Sequence, residues 1–467
     1  MSHNIQNDIQ ELFDLQMSQR VHRRTQLGLT ERLQALKQLA ASIRDHQDDI
    51  VRALSQDFGK PEPEVLLTEI LPVLQEIKHT YKHLKKWMQG TRVNDTLATL
   101  GTRGRIVPQA RGVCLIISPW NYPFNLAMGP LVSCLAAGNS AILKPSEHTP
   151  ATSALIAQLV AKNFPKDWVA VVEGDASVSQ QLLSLPFDHI FFTGSPAVGK
   201  IVMNAAAKHL TSVTLELGGK SPTIVGPNAD LQQAADWITF GKFTNAGQTC
   251  IAPDHVWVHA SVKDRFVDLL RQRILKAYPQ AGSSPDLARI VNPNHAQRLH
   301  RLVSNALQQG ARIIMGKPSS DQHMDPVLIE AITPEMDIDR EEIFGPVLPI
   351  LIYNDVQEAI DRIHAHPKPL ALYIFESNPT WVNRVVQSTS SGGVGINLTM
   401  LHYSHPELPF GGVNHSGIGA AHGLHGFKAF SHERAILENR YSSVPWLFPP
   451  YTASVRRLIG WVYRLLG

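Results

Sequence analysis

Residues 112–147 read GVCLIISPWNYPFNLAMGPLVSCLAAGNSAILKPSE, and this stretch decides the fold. A short apolar run, Val113–Ile117, meets a Ser-Pro turn. A helical segment over Phe124–Ala137 follows, then Gly138-Asn139, then a second apolar run over Ala141–Lys144. Short apolar runs bounded by turn residues on either side of a helix make a strand–helix–strand unit, which joins parallel neighbours. The alternation continues, with strands at Val169–Glu173, His189–Phe192 and Val213–Leu217, and helices at Thr149–Asn163, Ser177–Leu183 and Ala197–His209. This predicts an α/β fold with a doubly wound parallel sheet, whose ligands sit at the carboxyl ends of its strands. Those ends carry Ser118-Pro-Trp-Asn121, Lys144-Pro-Ser-Glu147 and Thr193-Gly-Ser-Pro-Ala-Val-Gly199.

Upstream, the first sixty residues read as helix. Leu36, Ala40, Ile43 and Leu54 recur near helical spacing, and Gly59 with Pro61 stops the run. A second helical stretch runs from Pro63 towards Trp87. Downstream, a further α/β region extends from Ser221 past Ile396, with strands at Val256–Val258, Ala311–Met315 and Val347–Ile352. The His- and Pro-rich run from Leu398 to Pro409 reads as irregular.

A chain of 467 residues is too long for one ordinary core, so two or three domains are expected. Its net charge of +3 gives no reason to invoke nucleic acid. Three cysteines make neither a disulfide framework nor a zinc pattern. Cys114 and Cys134 lie in apolar runs and read as buried structural thiols. The polar start, Met1–Asp8, is no signal peptide, and no apolar run is long enough to cross a bilayer. These features together point to a reducing cytoplasm.

Cys250 is different. It follows Asn245-Ala-Gly-Gln-Thr249, the composition of a tight turn with backbone N–H groups to spare. A thiol becomes a strong nucleophile when its pKa falls or a base takes its proton. Glu216 lies between Leu215 and Leu217 ahead of two glycines, so burial should raise its pKa, and the glycines would let its side chain move. Asn121 by itself reads as a turn cap before Pro123. Gly194-Ser-Pro-Ala-Val-Gly199 opens a helix, whose N-terminal end suits a pyrophosphate or is simply a helix start. His402, His405, His415, His422 and His425 crowd the last quarter at spacings that match no metal site, so no metal is expected.

Seven motifs stand in order along the chain: Ser118-Pro-Trp-Asn-Tyr-Pro123, Leu143-Lys-Pro-Ser-Glu147, Phe192-Thr-Gly-Ser195, Leu215-Glu-Leu-Gly-Gly-Lys220, Gly247-Gln-Thr-Cys250, Glu341-Glu-Ile-Phe-Gly-Pro346 and Pro409-Phe-Gly-Gly-Val413. In order and spacing they resemble the aldehyde dehydrogenase superfamily, and within it the class 3 branch of fatty-aldehyde and coniferyl-aldehyde dehydrogenases. The resemblance implies that Cys250 attacks an aldehyde to give a thiohemiacetal. The Asn121 amide and the Cys250 N–H would form an oxyanion hole, and Glu216 would activate water against the thioester. It places NAD, with NADP as a possible alternative, against Trp120, Lys144, Ser146 and Glu147. Thr193, Gly194, Ser195, Gly199, Leu217, Glu342 and Phe344 complete that set. Glu147 would disfavour a 2′-phosphate. Glu341 reads as a surface carboxylate, and Lys220 as a surface charge or a minor site residue. Trp120 and Tyr122 suggest an aromatic mouth for a medium- or long-chain aliphatic or aromatic aldehyde.

The resemblance also implies an NAD-binding domain of residues 1–85 and 107–215, an α/β catalytic domain of residues 216–395, and a small bridging element of residues 86–106 and 396–440. A homodimer is the habit of the branch. Residues 441–467 form a basic amphipathic tail, read as a helix packed on its own enzyme or a partner subunit in preference to a membrane surface. A CoA-acylating dehydrogenase is the sibling reading, although such relatives generally lack the base at Glu216. A cofactor-independent cysteine esterase or hydrolase would need a histidine near Cys250, and His255-Val-Trp-Val-His259 looks like a strand leading away.

Overall fold

The computed structural model describes residues 2–466. Three sheets organise them. The first has six strands in the order Gly417–Ile418, Ser212–Leu217, His189–Gly194, Val113–Ile117, Ser140–Lys144 and Val169–Val171. All pairings are parallel except that of Gly417–Ile418 with Ser212–Leu217. The chain builds outward from Val113–Ile117 in one direction, then returns to its other side with His189–Gly194. The strand order therefore reverses at that pair, and a crevice opens beyond their carboxyl ends.

Local sequence explains the regularity. Val113–Ile117 and Ser140–Lys144 are buried along their whole length, as strands covered on both faces must be. The connecting helix, Asn125–Ala137, is almost wholly buried and ends at Gly138, whose φ of 85° is open to glycine at no steric cost. The helix Pro196–Ala207 starts with Ser195 as its cap and proline in its first turn. A Cβ on Gly199 would lie 2.6 Å from the Leu217 side chain, so the missing side chain lets this helix lie against its strand.

The second sheet has seven strands, in the order Arg312–Met315, Val327–Glu330, Val347–Tyr353, His255–His259, Pro222–Val225, Ala371–Phe375 and Gly393–Ile396. Only Arg312–Met315 runs antiparallel. The third sheet is antiparallel, with Thr102–Ala110 between Thr91–Val93 and Ser431–Asn439. Cys114 and Cys134 are fully buried thiols, as expected.

The helix expected from Pro63 to Trp87 is not uniform. It runs as Glu62–Val65, then a π turn over Leu66–Ile70, then Leu71–Met88. The wider turn carries Glu69 to the interior, where it meets Lys60. The tail is helical. Its helix, Ala453–Leu466, leans on the short turn Val444–Leu447, and large aromatic side chains from Tyr441 to Tyr463 stand in solvent. Val455, Leu458 and Val462 are half-buried, whereas Ile459 and Leu465 are exposed. No helix among the described residues is long and apolar enough to cross a membrane.

Candidate active site

Cys250 lies just beyond a loop with unusual backbone geometry. Asn245, Ala246 and Gly247 all have positive φ, at 56°, 52° and 72°. Left-handed non-glycine residues cost about 1–3 kcal/mol each and persist only where the surroundings over-determine them. Here they do. Glu64 accepts from Asn245 N at 2.8 Å, and the Asn245 amide donates to the carbonyls of Asn121 (2.8 Å) and Gln248 (3.1 Å). Buried Gln248 donates to Arg289 O and accepts from Val291 N. A Cβ on Gly247 would fall 2.4 Å from Gly345 O, so this loop lies directly against the loop that carries Glu342 and Phe344.

Cys250, Glu216, Thr193 and Leu217 line one cavity of about 300 Å³, together with Tyr122 and Thr249. The rest of its wall is mostly apolar and includes Leu67, Leu71, Leu126, Phe240, Leu401 and Phe410. Glu216 sits near the end of its strand, opposite Thr193 on one side and Gly417 on the other. Both its carboxylate oxygens are buried without a hydrogen-bond partner, and burial holds its pKa well above the ordinary range. That agrees with the direction expected from its leucine neighbours.

Burial also pushes the Cys250 thiol up to about 12, helped by the carboxyls of Glu342 and Glu216. The N–H groups of Cys250 and Ile251 face the sulfur and favour its anion, but they do not offset the burial. At neutral pH the resting thiol keeps its proton. Activation must come from a base.

Asn121 ends the Ser-Pro-Trp-Asn turn and is buried. Its amide donates to Gln248 O at 3.0 Å, which fixes it beside the nucleophile segment. It does not form part of the cavity wall, which at this point is Tyr122. Tyr122 and Trp120 have separate surroundings. The Tyr122 hydroxyl bonds to Thr249 Oγ1 at 2.7 Å, whereas Trp120 lies edge-on to Phe344 at 5.4 Å and 4.9 Å from His295. Trp120 is thus no part of a mouth shared with Tyr122.

Gly218, the first of the two glycines after Glu216, has a packing role as well. A Cβ on Gly218 would lie 2.3 Å from Glu342 Oε2. The missing side chain makes room for Glu342. Gly219 N–H donates to the Glu342 carboxyl, and burial raises that group to about 7.

Sequence reasoning undervalued Lys220. It is nearly buried and bonds Asp254 at 2.5 Å, Ile338 O at 2.9 Å and Glu341 O at 2.8 Å. Asp254 accepts from Ile343 N, and Arg298 donates to Glu342 O and Ile343 O. These three side chains clamp the Glu342–Phe344 loop, in which Phe344 itself has φ of 51°. The only signal in the sequence was the position of Lys220 after two glycines. Glu341 is held by Arg301 at the surface, as expected.

Lys144, Ser146, Glu147, Gly194 and Ser195 gather at the carboxyl ends of the six-stranded sheet. Buried Lys144 bonds Glu147 at 2.7 Å. Partial burial works against the Glu147 charge, but Lys144 more than offsets it and holds the carboxyl below its ordinary range. Ser146 O accepts from Ser153, and Ser195 caps Val198 N. The residues fit a dinucleotide: Val198 and Ile201 present exposed apolar surface at the start of the helix, and the buried Thr193 hydroxyl has no partner. His255 bonds Asp254 and His259 bonds Asn354 O, both away from the cavity. The histidine on the cavity wall is His422, which faces Glu76 at 3.6 Å. No metal-binding group of three His, Cys, Asp or Glu occurs among the described residues.

The chain is similar to known proteins along most of its length. The chain belongs to the aldehyde dehydrogenase family, whose model matches residues 15–436. It is 44% identical to a 4,4'-diaponeurosporen-aldehyde dehydrogenase of Staphylococcus aureus, over 90% of this chain and 92% of that protein. It is 41% identical to aldehyde dehydrogenase family 3 member A2 of Macaca fascicularis, over 87% and 83%. The solved substrate-bound AldH of Staphylococcus aureus superposes with a TM-score of 0.92 at 40% identity, covering 97% and 99%. Solved relatives include an NADP-dependent enzyme from E. coli (27% identity, TM-score 0.86, covering 93% and 90%) and an NAD-dependent aldehyde dehydrogenase from Sinorhizobium meliloti (27%, 0.86, 96% and 89%). The protein is an NAD(P)-dependent oxidoreductase that converts an aldehyde to an acid, with an α/β fold of the class 3-like type.

Proposed function

We propose that the substrate is a medium- or long-chain aliphatic or aromatic aldehyde, oxidised through a Cys250 thioester with NAD as the preferred cofactor. The carrying observation is the apolar cavity with Cys250 and desolvated Glu216 on one wall. Glu216 takes the Cys250 proton and passes it to solvent, Cys250 Sγ bonds to the carbonyl carbon and the carbonyl π electrons move to oxygen, giving a thiohemiacetal whose oxyanion would meet the Cys250 N–H and, once the Asn121 amide reaches in from behind the cavity wall, that amide as well. A preorganised donor of this kind contributes about 10²–10³ in rate. The bound nicotinamide supplies the hydride acceptor. Glu216 takes a proton from water, the water oxygen bonds to the thioester carbon, and the C–S bond breaks to release the acid and return the thiol. Burial raises the pKa of the unpartnered Glu216 carboxyl, which makes it a stronger base than an exposed glutamate.

Lys144, Ser146 and Glu147 would hold the adenine ribose. Gly194, Ser195 and Gly199 would bring the helix start to the pyrophosphate, with Thr193 and Leu217 below it. Glu342 would orient the nicotinamide ribose, with Phe344 and Trp120 beside the ring. Glu147 supports NAD, and Lys144 tempers that preference by neutralising its charge. The three sheets support a division into a cofactor domain, a catalytic domain and a bridging element close to the expected boundaries. The exposed nine-residue edge strand Ser431–Asn439 supports a homodimer. The family and its partners suit a cytoplasmic enzyme. Thioester hydrolysis is preferred over acyl transfer to CoA because a carboxylate stands at position 216, and over a hydrolase because His255 and His259 bond away from the cavity and His422, on its wall, faces Glu76.

The test is kcat/KM for hexanal, dodecanal, benzaldehyde and coniferaldehyde with NAD and with NADP. Dodecanal or coniferaldehyde should lead. A preference for short polar aldehydes would overturn the substrate reading, and a preference for NADP would overturn the cofactor reading.

A further inference from the structure

Lys60 and Glu69 stand behind the cavity wall, bonded to each other at 2.7 Å with both side chains fully buried. Taking two charges out of water costs as much as their attraction returns, unless further hydrogen bonds satisfy both groups. Apolar residues of similar volume commonly hold such a place with no loss of stability, so stability alone does not account for the pair. Its other partners do.

The Lys60 ammonium donates to Glu69 Oε1 and to Asn121 O at 3.4 Å, and it lies 3.8 Å from the centre of the Tyr122 ring. Two of its contacts thus fall on consecutive residues of the Ser-Pro-Trp-Asn-Tyr turn. Glu69 Oε2 accepts from Asn125 N at 2.9 Å, and Phe124 N also donates to this carboxyl. Those N–H groups open the helix Asn125–Ala137, where they have no partner within the helix and lie at the positive end of its dipole. The pair therefore grips the segment Asn121–Asn125 at both ends. A cation holds its first carbonyl, and a carboxylate holds its last two N–H groups.

At rest the Asn121 amide donates to Gln248 O at 3.0 Å. Gln248 O also accepts from the Asn245 amide at 3.1 Å, so it keeps a partner when the Asn121 amide turns away. The Asn121 carbonyl has no such freedom. Two donors fix it, Lys60 and the Asn245 amide, the latter at 2.8 Å. The main chain is pinned while the side chain can turn. We infer that Lys60 and Glu69 are positioning residues for the oxyanion hole, fixing the main chain about which the Asn121 amide swings from Gln248 O to the substrate oxygen. The inference rests on the reading of Asn121 as an oxyanion donor. Charge-assisted hydrogen bonds are shorter and stronger than neutral ones, and a misplacement of about 1 Å at a reacting centre can cost about 10²-fold in rate.

The experiment is a mutant cycle on the full chain, read by stopped flow as the first-turnover rate of NADH formation at saturating NAD. The substrate is whichever of the four aldehydes above reacts fastest. Lys60→Met/Glu69→Leu should melt near the parent yet lose about ten-fold or more in this rate, with KM for NAD within about two-fold. Asn121→Ala should lose about 10²-fold. The two losses should not add: the triple variant should react within about two-fold of Asn121→Ala alone, because the pair acts through that residue. The isosteric Glu69→Gln breaks the ion pair with the least change of volume. It should lose about five-fold in the same non-additive way, and it carries the cycle if the apolar pair does not fold. An unchanged rate in the pair variants overturns the proposal. Full additivity with Asn121→Ala overturns the role of the pair and leaves that of Asn121 standing, whereas an unchanged rate in Asn121→Ala overturns both. A KM for NAD that rises as far as the rate falls marks a general loss of structure and also overturns the proposal.

Discussion

At Cys250 the physics of the site runs against simple activation. The thiol lies among apolar side chains and near two carboxyls, so its pKa stands near 12 and it is protonated at rest. Cys250→Ala should abolish NADH formation from an aldehyde, measured by absorbance, and a retained rate would remove the thiol from the mechanism. Glu216→Gln should slow both the first-turnover burst of NADH and the steady state by about 10²–10⁴-fold, because the base for the thiol and for the water is lost. Rapid-quench kinetics checks this, and an unchanged steady state would free Glu216 of its role. Glu342 adds a pH dependence. Its folded value of about 7 exceeds the ordinary 4.5, so the folded chain binds more protons than the unfolded chain between those values. Stability therefore falls as pH rises through that window. Melting temperatures from pH 5 to pH 8 should show that decline, with a shallower slope in Glu342→Gln. An equal slope would trace the effect to other groups, of which Glu64 is the first, since burial raises it to about 7 as well.

At the scale of elements, the Asn245–Gln248 loop is held by a segment whose sequence reads as plain helix. The π turn Leu66–Ile70 brings Glu69 to Lys60 at 2.7 Å, and both side chains are fully buried. Lys60 also reaches Asn121 O at 3.4 Å and lies 3.8 Å above the Tyr122 ring, while Glu69 accepts from Asn125 N. Lys60→Met leaves a buried carboxylate unpaired and should cost about 3–5 kcal/mol in urea unfolding. Lys60→Met/Glu69→Leu should regain most of that stability. A single variant as stable as the parent would show the pair to be of no consequence. Gly218→Ala should displace Glu342 and lower kcat/KM for NAD by on the order of 10²-fold, since small misplacements near the chemistry carry such effects. An unchanged value would mean that Glu342 shifts at no cost. The helix Asn125–Ala137 and the strand Val113–Ile117 were legible because local signals, a Gly138 stop and an unbroken apolar run, agree with their tertiary setting. The strands Pro222–Val225, Val327–Glu330, Ala371–Phe375 and Gly393–Ile396 were not separated out, since short strands in a parallel sheet lack the alternation that marks a strand.

For the whole molecule, the three-stranded sheet depends on a pairing between residues far apart in the chain, Ser431 with Ala110 through Asn439 with Thr102. Its outer strand is exposed, and the dimer reading predicts a light-scattering mass of twice 51.6 kDa. A mass of 51.6 kDa would refute it. The sequence by itself determined the family and the parallel sheet and put forward Cys250 and Glu216 as nucleophile and base, because each depends on residue type and on spacing within a few turns of chain. Tertiary structure alone decided that Gly218 makes room for Glu342, that Lys220 clamps the Glu342–Phe344 loop through Asp254, that Trp120 parts from Tyr122, and that the helix Ala453–Leu466 packs on the turn Val444–Leu447. Each of these depends on what lies across space from a residue. That is set by packing, close approach and desolvation between distant segments, and no local pattern encodes it.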